Sequence, residues 1–304
     1  MVGQWRGGLI LRYAANGRYL GTLGRLGDGP GEYRNAKMLL HGPGDSVTIL
    51  SSNTMAVIST ASGMGRSAPI GMTVMPDALT RLSDNRLVFN THYPRSPSFV
   101  MLGRDLKQEA AFGPVMASGP DKDGNFDEPI HRLAASRLGG FWAAKIEYVR
   151  RIERWLPNGA VAQRLDSLVP WFPRYTSRDA TFQDGWRVVF TRRPLPRVLS
   201  IQEDVAGRIW VLGSAADRQW TPAPDVPPLT TYEEYQAYVP ATDPHRHADA
   251  IVDVIDGSSG RSLGAWRFHE CFSSFAASGI VLRMREDDDG VRVAEAWRLE
   301  LQGR

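Results

Sequence analysis

The chain has a single cysteine in 304 residues, Cys271, which excludes an internal disulfide and any metal site built on several thiolates. Its neighbours Phe272 and Phe275 are apolar, so a buried, inert thiol is the expectation. Lysine is nearly as scarce: only Lys37, Lys107, Lys122 and Lys145 among 36 basic residues. The arginines are scattered singly, and a net charge of +3 without a basic cluster argues against nucleic acid as a partner. Nowhere do apolar residues run for the roughly 18 positions of a membrane helix. Runs such as Met38-Leu39-Leu40 are strand-sized, and no transmembrane segment is expected. Met1 to Leu11 also lacks the charged start, apolar core and small-residue cleavage site of a signal peptide. Neither a G-x-S-x-G elbow nor a phosphate-loop motif occurs, so no catalytic residue is assigned. Sustained helical periodicity is missing too, because 30 glycines and 20 prolines interrupt it; Tyr232–Tyr238 is the one short helix candidate.

What the chain does have is a repeat. A β-rich run, a turn on Gly or Asn and a second run recur along its length. Leu9–Tyr13 and Arg18–Leu23 flank AANG; Met55–Thr60 and Gly65–Ile70 flank ASG; Phe99–Leu102 and Gln108–Phe112 flank GRDLK. Ile152–Leu156 and Ala160–Leu165 flank PNG, and Ile251–Ile255 and Arg261–Phe268 flank DGSSG. Glycine supplies the positive φ that tight hairpins need, and Asn or Asp tolerates it. Each later hairpin follows two further strands, for example Met38–Leu40 with Ser46–Leu50 and Val198–Gln202 with Arg208–Leu212. The unit is a four-stranded antiparallel blade of about 45 residues, repeated as in a propeller. An all-β, six-bladed β-propeller follows as the fold class, in a single domain over residues 1–304 with an insertion at about 214–248. The ends do not balance, since the chain opens with the last two strands of a blade and closes with three. The first blade is therefore expected to be incomplete at the N-terminus, with the natural start upstream of Met1.

The segment GTLGRLGDGPGEYRNA (Gly21–Ala36) resembles the GPGEF-type signature of an uncharacterised family of bacterial six-bladed β-propellers, similar to NHL-repeat and TolB-like propellers. Pro196–Leu212, Ile251–Leu263 and Gly279–Leu301 fit the same family in the same order. The resemblance implies a six-bladed fold and an exported protein, periplasmic or at the cell surface, and supplies no catalytic residues.

Strand order places the short turns on one face of such a disc and the long connections (Gly24–Ala36, Gly113–Pro129, Asp166–Leu195 and Gly213–Asp249) on the other. Long loops on a rigid scaffold concentrate binding residues, so a site is expected on the crossover face at the channel mouth. Arg34, His131 and Arg197, near the starts of first strands, are candidate contacts for an anionic or sugar-like ligand. His245, His247 and Asp249 alternate as on one strand face, the weak pattern of a divalent metal site. Asp121–Asp127 imitates a calcium loop but lacks the Gly and Glu at the required positions, and Asp287–Gly290 reads better as a hairpin turn. Trp142, Trp210, Trp266 and Trp297 read as blade core. The aromatic, Pro-rich insertion is expected to fold over the crossover face as a cap. The function expected is a non-enzymatic ligand- or protein-binding propeller, its partner an unknown small molecule or protein, without a cofactor. A propeller hydrolase or lyase using a divalent metal is the alternative.

Overall fold

The computed structural model describes residues 2–3, 9–14, 16–51, 54–70, 76–91, 95–115, 130–147, 149–166, 169–175, 193–222, 234, 248–286 and 292–301. A small first sheet has the order β1 (Val2–Gly3), β2 (Ile10–Tyr13), β3 (Tyr19–Leu23). A parallel two-stranded ladder of β4 (Arg25–Leu26) and β5 (Glu32–Tyr33) follows. Then come four four-stranded sheets, each in simple up-and-down order. The first is β6 (Met38–His41), β7 (Ser46–Leu50), β8 (Thr54–Ser59), β9 (Gly65–Pro69). The second is β10 (Pro76–Arg81), β11 (Leu87–Thr91), β12 (Pro97–Leu102), β13 (Gln108–Val115). The third is β14 (His131–Ala135), β15 (Phe141–Lys145), β16 (Arg151–Trp155), β17 (Val161–Asp166). The fourth is β18 (Arg197–Glu203), β19 (Arg208–Ala216), β20 (Ala248–Asp256), β21 (Ser262–Phe268). A last sheet has three strands, β22 (Phe272–Ala277), β23 (Ile280–Glu286) and β24 (Arg292–Arg298).

The four-stranded sheets have the antiparallel form of propeller blades, and among the described residues the expected six is corrected to five. Four blades are complete and β22–β24 makes the fifth with three strands. The N-terminal sheet falls short of a blade because its strands are only two, four and five residues long. By packing, the chain divides into two compact units. One is Met1–Ser118 with Glu128–Phe141 and Leu156–Ala160; the other is Gly119–Asp127 with Trp142–Trp155 and Val161–Arg304.

Burial explains which runs became which strand. The second strands are covered on both faces, so they read as unbroken apolar runs. All five residues of Leu87–Thr91 are buried, as are four of the five in both Ser46–Leu50 and Phe141–Lys145. Fourth strands are rim strands and carry the polar positions, as in Val161–Asp166 and Ser262–Phe268. This corrects the reading of four core tryptophans. Trp142 and Trp210, on second strands, are buried, whereas Trp266 and Trp297 on β21 and β24 are 41% and 36% exposed. In the first unit, Leu50, Met55, Leu87, Phe89, Val100 and Leu102 form one apolar cluster. In the second, Trp210, Leu212, Val252, Val254, Phe272 and Val281 form another. Each such side chain contributes about 1.5–3 kcal/mol by leaving water.

Two motifs noted in the sequence turn out to be structural devices. In GDGPGEY, Glu32 Oε2 accepts from Gly29 N (2.9 Å), and Gly27 N donates to Tyr33 O (3.1 Å). Gly31 has φ +75°, and a Cβ there would come within 3.0 Å of the Gly65 backbone. The loop delivers the Tyr33 ring into a cluster with Ile10, Leu23, Val47, Ile49 and Ile58. There its hydroxyl accepts from Ile10 N (3.0 Å) and donates to Leu23 O (2.8 Å). In EDVAGRIW, Asp204 accepts from Ala206 N, Arg208 N, Arg208 Nε and Trp210 Nε1 at 2.6–3.0 Å. Burial would raise its pKa, but the bonds from Trp210, Arg208 and Ala206 outweigh it and hold the carboxyl below its ordinary range. The stabilisation this carries is present above the ordinary carboxylate value and is lost as pH falls through the lower folded value.

Replacing Tyr33 by Phe keeps the ring and strands two buried backbone groups. A loss of about 1–3 kcal/mol is expected, read as a lower urea midpoint at unchanged m-value. An unchanged midpoint would show that the hydroxyl clasp contributes nothing.

Candidate functional site

In the blade β18–β21, the nine-residue pairing of β19 with β20 ends with Ala215 opposite Asp249 and Ala216 opposite Ala248. β20 in turn pairs Ala250 with Phe268 on β21. Three polar residues therefore gather at one end of the sheet: Asp217 just beyond β19, Asp249 on β20 and His269 just beyond β21. This is the end from which the long connection between β19 and β20 departs.

His269 Nδ1 lies 2.9 Å from Asp217 Oδ2 and 3.2 Å from Asp249 Oδ1. Both carboxylates are almost fully enclosed, with side chains 6% and 5% exposed, whereas the His269 side chain is 69% exposed. The remaining oxygens are anchored. Asp217 Oδ1 accepts from Gln219 N (2.5 Å), and Asp249 Oδ2 accepts from Arg267 Nη1 (2.5 Å). Arg267 Nη1 also donates to Ala216 O (3.0 Å), which ties β21 back to the end of β19. The imidazole pKa is raised above its ordinary 6.5, first by the hydrogen bond to Asp249 and further by the charge of Asp217, against opposing desolvation.

The three donors have the chemistry of a metal centre. Their ligating atoms all lie within 4.8 Å of one another. Donors about 2.0–2.2 Å from one tetrahedral ion stand roughly 3–3.5 Å apart, close to the two distances at Nδ1. A divalent cation would take the place of the Nδ1 proton, and Arg267 and the Gln219 amide would orient the carboxylates from behind.

Of the metal candidates read from sequence, Asp249 belongs to this cluster, while His245 and His247 lie outside the described residues. So do the Asp121–Asp127 and Asp287–Gly290 loops, the helix candidate Tyr232–Tyr238 apart from Glu234, and most of the insertion expected to form a cap. Asp217, Arg267 and His269 were missed. Counting back from the DGSSG turn sets Asp249 opposite Phe268, and the bulge between Val254 and Ile255, which the sequence does not announce, moves its neighbour one residue on to His269. Asp217 had no such signal, being separated from Asp249 by about thirty residues of unassigned loop.

The three ligand-contact candidates each meet a different neighbour. Arg34 is exposed and pairs with Asp28 (2.7 Å), and Arg197 is half-exposed and pairs with Glu147 (2.5 Å). His131 is buried, with its ring 5.1 Å from that of Phe99 and its backbone N donating to Asn90 Oδ1 (2.7 Å). Cys271 is exposed rather than buried, correcting the expectation: Phe272, the next residue, turns into the core.

Solved structures share the architecture at low identity. A Bacteroides fragilis protein taken to be exported superposes with a TM-score of 0.55 at 9% identity, over 94% of this chain and 76% of its own. Hydrazine synthase of Kuenenia stuttgartiensis gives 0.52 at 9% identity, over 91% of this chain and 68% of its own. The fold is a β-propeller. Virginiamycin B lyase from Staphylococcus aureus gives a TM-score of 0.48 at 10% identity, over 92% of this chain and 85% of its own. No family model matches the chain, and no curated protein matches its sequence. No helix among the described residues is long and apolar enough to cross a membrane.

A histidine NMR titration tests the geometry at Nδ1. His269 should titrate above 6.5, and Asp249→Asn should bring its midpoint down, since that carboxylate is the main cause of the shift. With the pKa raised on folding, the pairing stabilises below the unfolded value and is lost as pH rises through the folded one. A midpoint indifferent to Asp249→Asn would mean that the imidazole does not sit on that carboxylate.

Proposed function

We propose that this propeller is a binding module whose ligand engages the Asp217–Asp249–His269 end of the β18–β21 blade through a bound divalent cation. The observation that carries the reading is the forked position of Nδ1 between two enclosed carboxylates. Burying two negative charges side by side is costly unless cations compensate them. Arg267 compensates one, and the imidazolium or a metal ion compensates the other. A mixed nitrogen and oxygen donor set of this kind favours a borderline ion such as Zn²⁺ or Mn²⁺ over Ca²⁺. The partner, a small molecule or protein carrying a carboxylate or similar donor, would complete the coordination from the exposed His269 side. Arg197, at the start of the first strand β18 in the same unit, is proposed as a further contact through its half-exposed guanidinium group. In this reading the protein is exported, as the GPGE resemblance implies.

A second reading rests on the same count of donors. Three protein ligands are what catalytic zinc sites supply, leaving one position for an activated water. A propeller hydrolase or lyase would use the site in that way.

Calorimetric titration of chelator-treated protein with Zn²⁺ and Mn²⁺ tests the metal directly. One equivalent should bind; Asp217→Asn or His269→Ala should abolish it, and Arg267→Met should weaken it about 10–100-fold as an orienting residue. Absence of stoichiometric binding, or binding unchanged in His269→Ala, would sink the proposal.

A further inference from the structure

The first unit holds a second feature, at the short-turn end of its sheets. A cavity of about 240 Å³ opens where the β6–β7, β10–β11 and β12–β13 turns meet. Its wall is apolar through Val57, Leu87 and Leu106, and three arginines line it: Arg66 on β9, Arg81 at the end of β10 and Arg104 in the β12–β13 turn.

None of the three bonds a carboxylate among the described residues. Arg66 Nη2 donates to Arg104 O (2.6 Å), and Arg104 Nε donates to Asp84 O (2.9 Å). Arg81 donates through Nη2 to the Thr48 hydroxyl and through Nη1 to Asn85 O (3.5 Å), and its Nε is buried with no partner. Every acceptor is neutral. The acids nearby are committed elsewhere. Asp84 pairs with Arg86 at 2.7 Å, Glu109 with Arg86 at 3.5 Å and Asp105 with Lys107 at 3.5 Å. Asp45 accepts from Ser59 Oγ (2.5 Å) and Ala61 N (3.1 Å). The Asp84 carboxylate also feels the charge of Arg104, which helps to lower its pKa, but it takes no hydrogen bond from that side chain.

A guanidinium carries five N–H donors in a fork matched to carboxylate and phosphate. Three of them around one cavity leave most of those donors unspent, and the partly buried Arg81 has lost water without gaining an anion. Such a charge is costly unless something negative completes it. We propose that this cavity is a binding site for a small organic anion, a carboxylate or phosphate monoester. Its head lies on Arg66, Arg81 and Arg104 and its apolar body on Val57, Leu87 and Leu106. The volume is below the roughly 300–1,000 Å³ of sites for drug-sized ligands, which limits the body to about one ring. The site lies in a different unit from the metal cluster, and neither proposal depends on the other.

The test is calorimetric titration of the whole chain with phenyl phosphate, benzoate and inorganic phosphate. Phenyl phosphate or benzoate should bind saturably at one equivalent, and phenyl phosphate roughly fivefold or more tighter than inorganic phosphate. Arg66→Met and Arg104→Met, both on exposed side chains, should each weaken binding about tenfold or more, and Arg81→Met should abolish it. Asp217→Asn, far from these residues in sequence and in the other unit, should leave it unchanged. No saturable binding of either aromatic anion at millimolar concentration would overturn the site. So would full binding in the Arg66→Met, Arg104→Met double variant. Equal affinity for phosphate and phenyl phosphate would overturn the apolar part.

Discussion

The structure depends on one local constraint, repeated at turn after turn: the chain reverses direction without leaving its backbone amides unbonded. A side-chain oxygen at the first turn residue accepts the N–H two residues on, the geometry of an Asx turn. Asn16 does this for Arg18, Asp84 for Arg86, Asp105 for Lys107, Asn158 for Ala160, Asp204 for Ala206 and Asp256 for Ser258. A residue of positive φ follows within each of several of these turns, such as Gly17, Asn85, Leu106, Gly159 and Gly207. Asp217 makes the same bond, to Gln219 N, at the end of β19. A carboxylate needs only one oxygen for this purpose. At Asp204 the second is consumed by Arg208 and Trp210, whereas at Asp217 it faces His269. The candidate site is thus built on a turn residue whose spare oxygen is presented to an exposed imidazole at the end of the same sheet.

β20 shows how position along one strand separates structural from functional chemistry. Alternation puts Asp249, Ile251, Asp253 and Ile255 on one face and Ala250, Val252 and Val254 on the other, where they join the apolar cluster. Asp253 and Asp249 are the same residue type on the same face. Mid-strand, Asp253 is sealed: Arg150 pairs with it at 2.5 Å, Ser262 Oγ donates at 3.0 Å, and Trp171 lies against the guanidinium. Burial depresses the Arg150 pKa, and the charge of Asp253 opposes that. Such a pair is costly to break, because removing one partner leaves the other charged and dry. Four residues earlier, at the strand end, Asp249 keeps the same anchoring by an arginine but gains an exposed neighbour.

The sequence made the turns and the hairpins legible, because Gly, Asn and Asp recur where positive φ and side-chain acceptors are both needed. Second strands were equally plain, since burial on both faces writes an unbroken apolar run such as Leu87–Thr91. What failed was anything decided by a residue's place within a blade. Trp266 and Trp297 have the same strand-like surroundings as Trp142 and Trp210, but rim strands leave one face open. Cys271 sits beside Phe272, and neighbours in an extended segment face opposite ways. The GPGEY motif carried the resemblance, and its residues act together: Gly31 allows the close approach to Gly65 and Tyr33 closes a backbone clasp. The blade count went wrong because the N-terminal strands, two of them legible as strands, are among the described residues only two, four and five residues long.

Location at a strand end also explains why Asp217, Asp249 and His269 suit exchangeable binding better than a second buried pair would. A metal ion is held by ligands that give up their protons on binding, and bringing such ligands together from water-exposed loops costs ordering. Ladder hydrogen bonds at Ala215–Asp249 hold the Asp249 backbone, Arg267 holds its carboxylate, and Gln219 N holds that of Asp217, so their orientation costs little further ordering. The imidazole, one residue past the end of β21, is the member of the set left facing solvent. An arriving ion or partner would therefore meet two enclosed carboxylates through a single exposed imidazole. Exchange then requires displacement of a proton from Nδ1 and no disruption of the sheet.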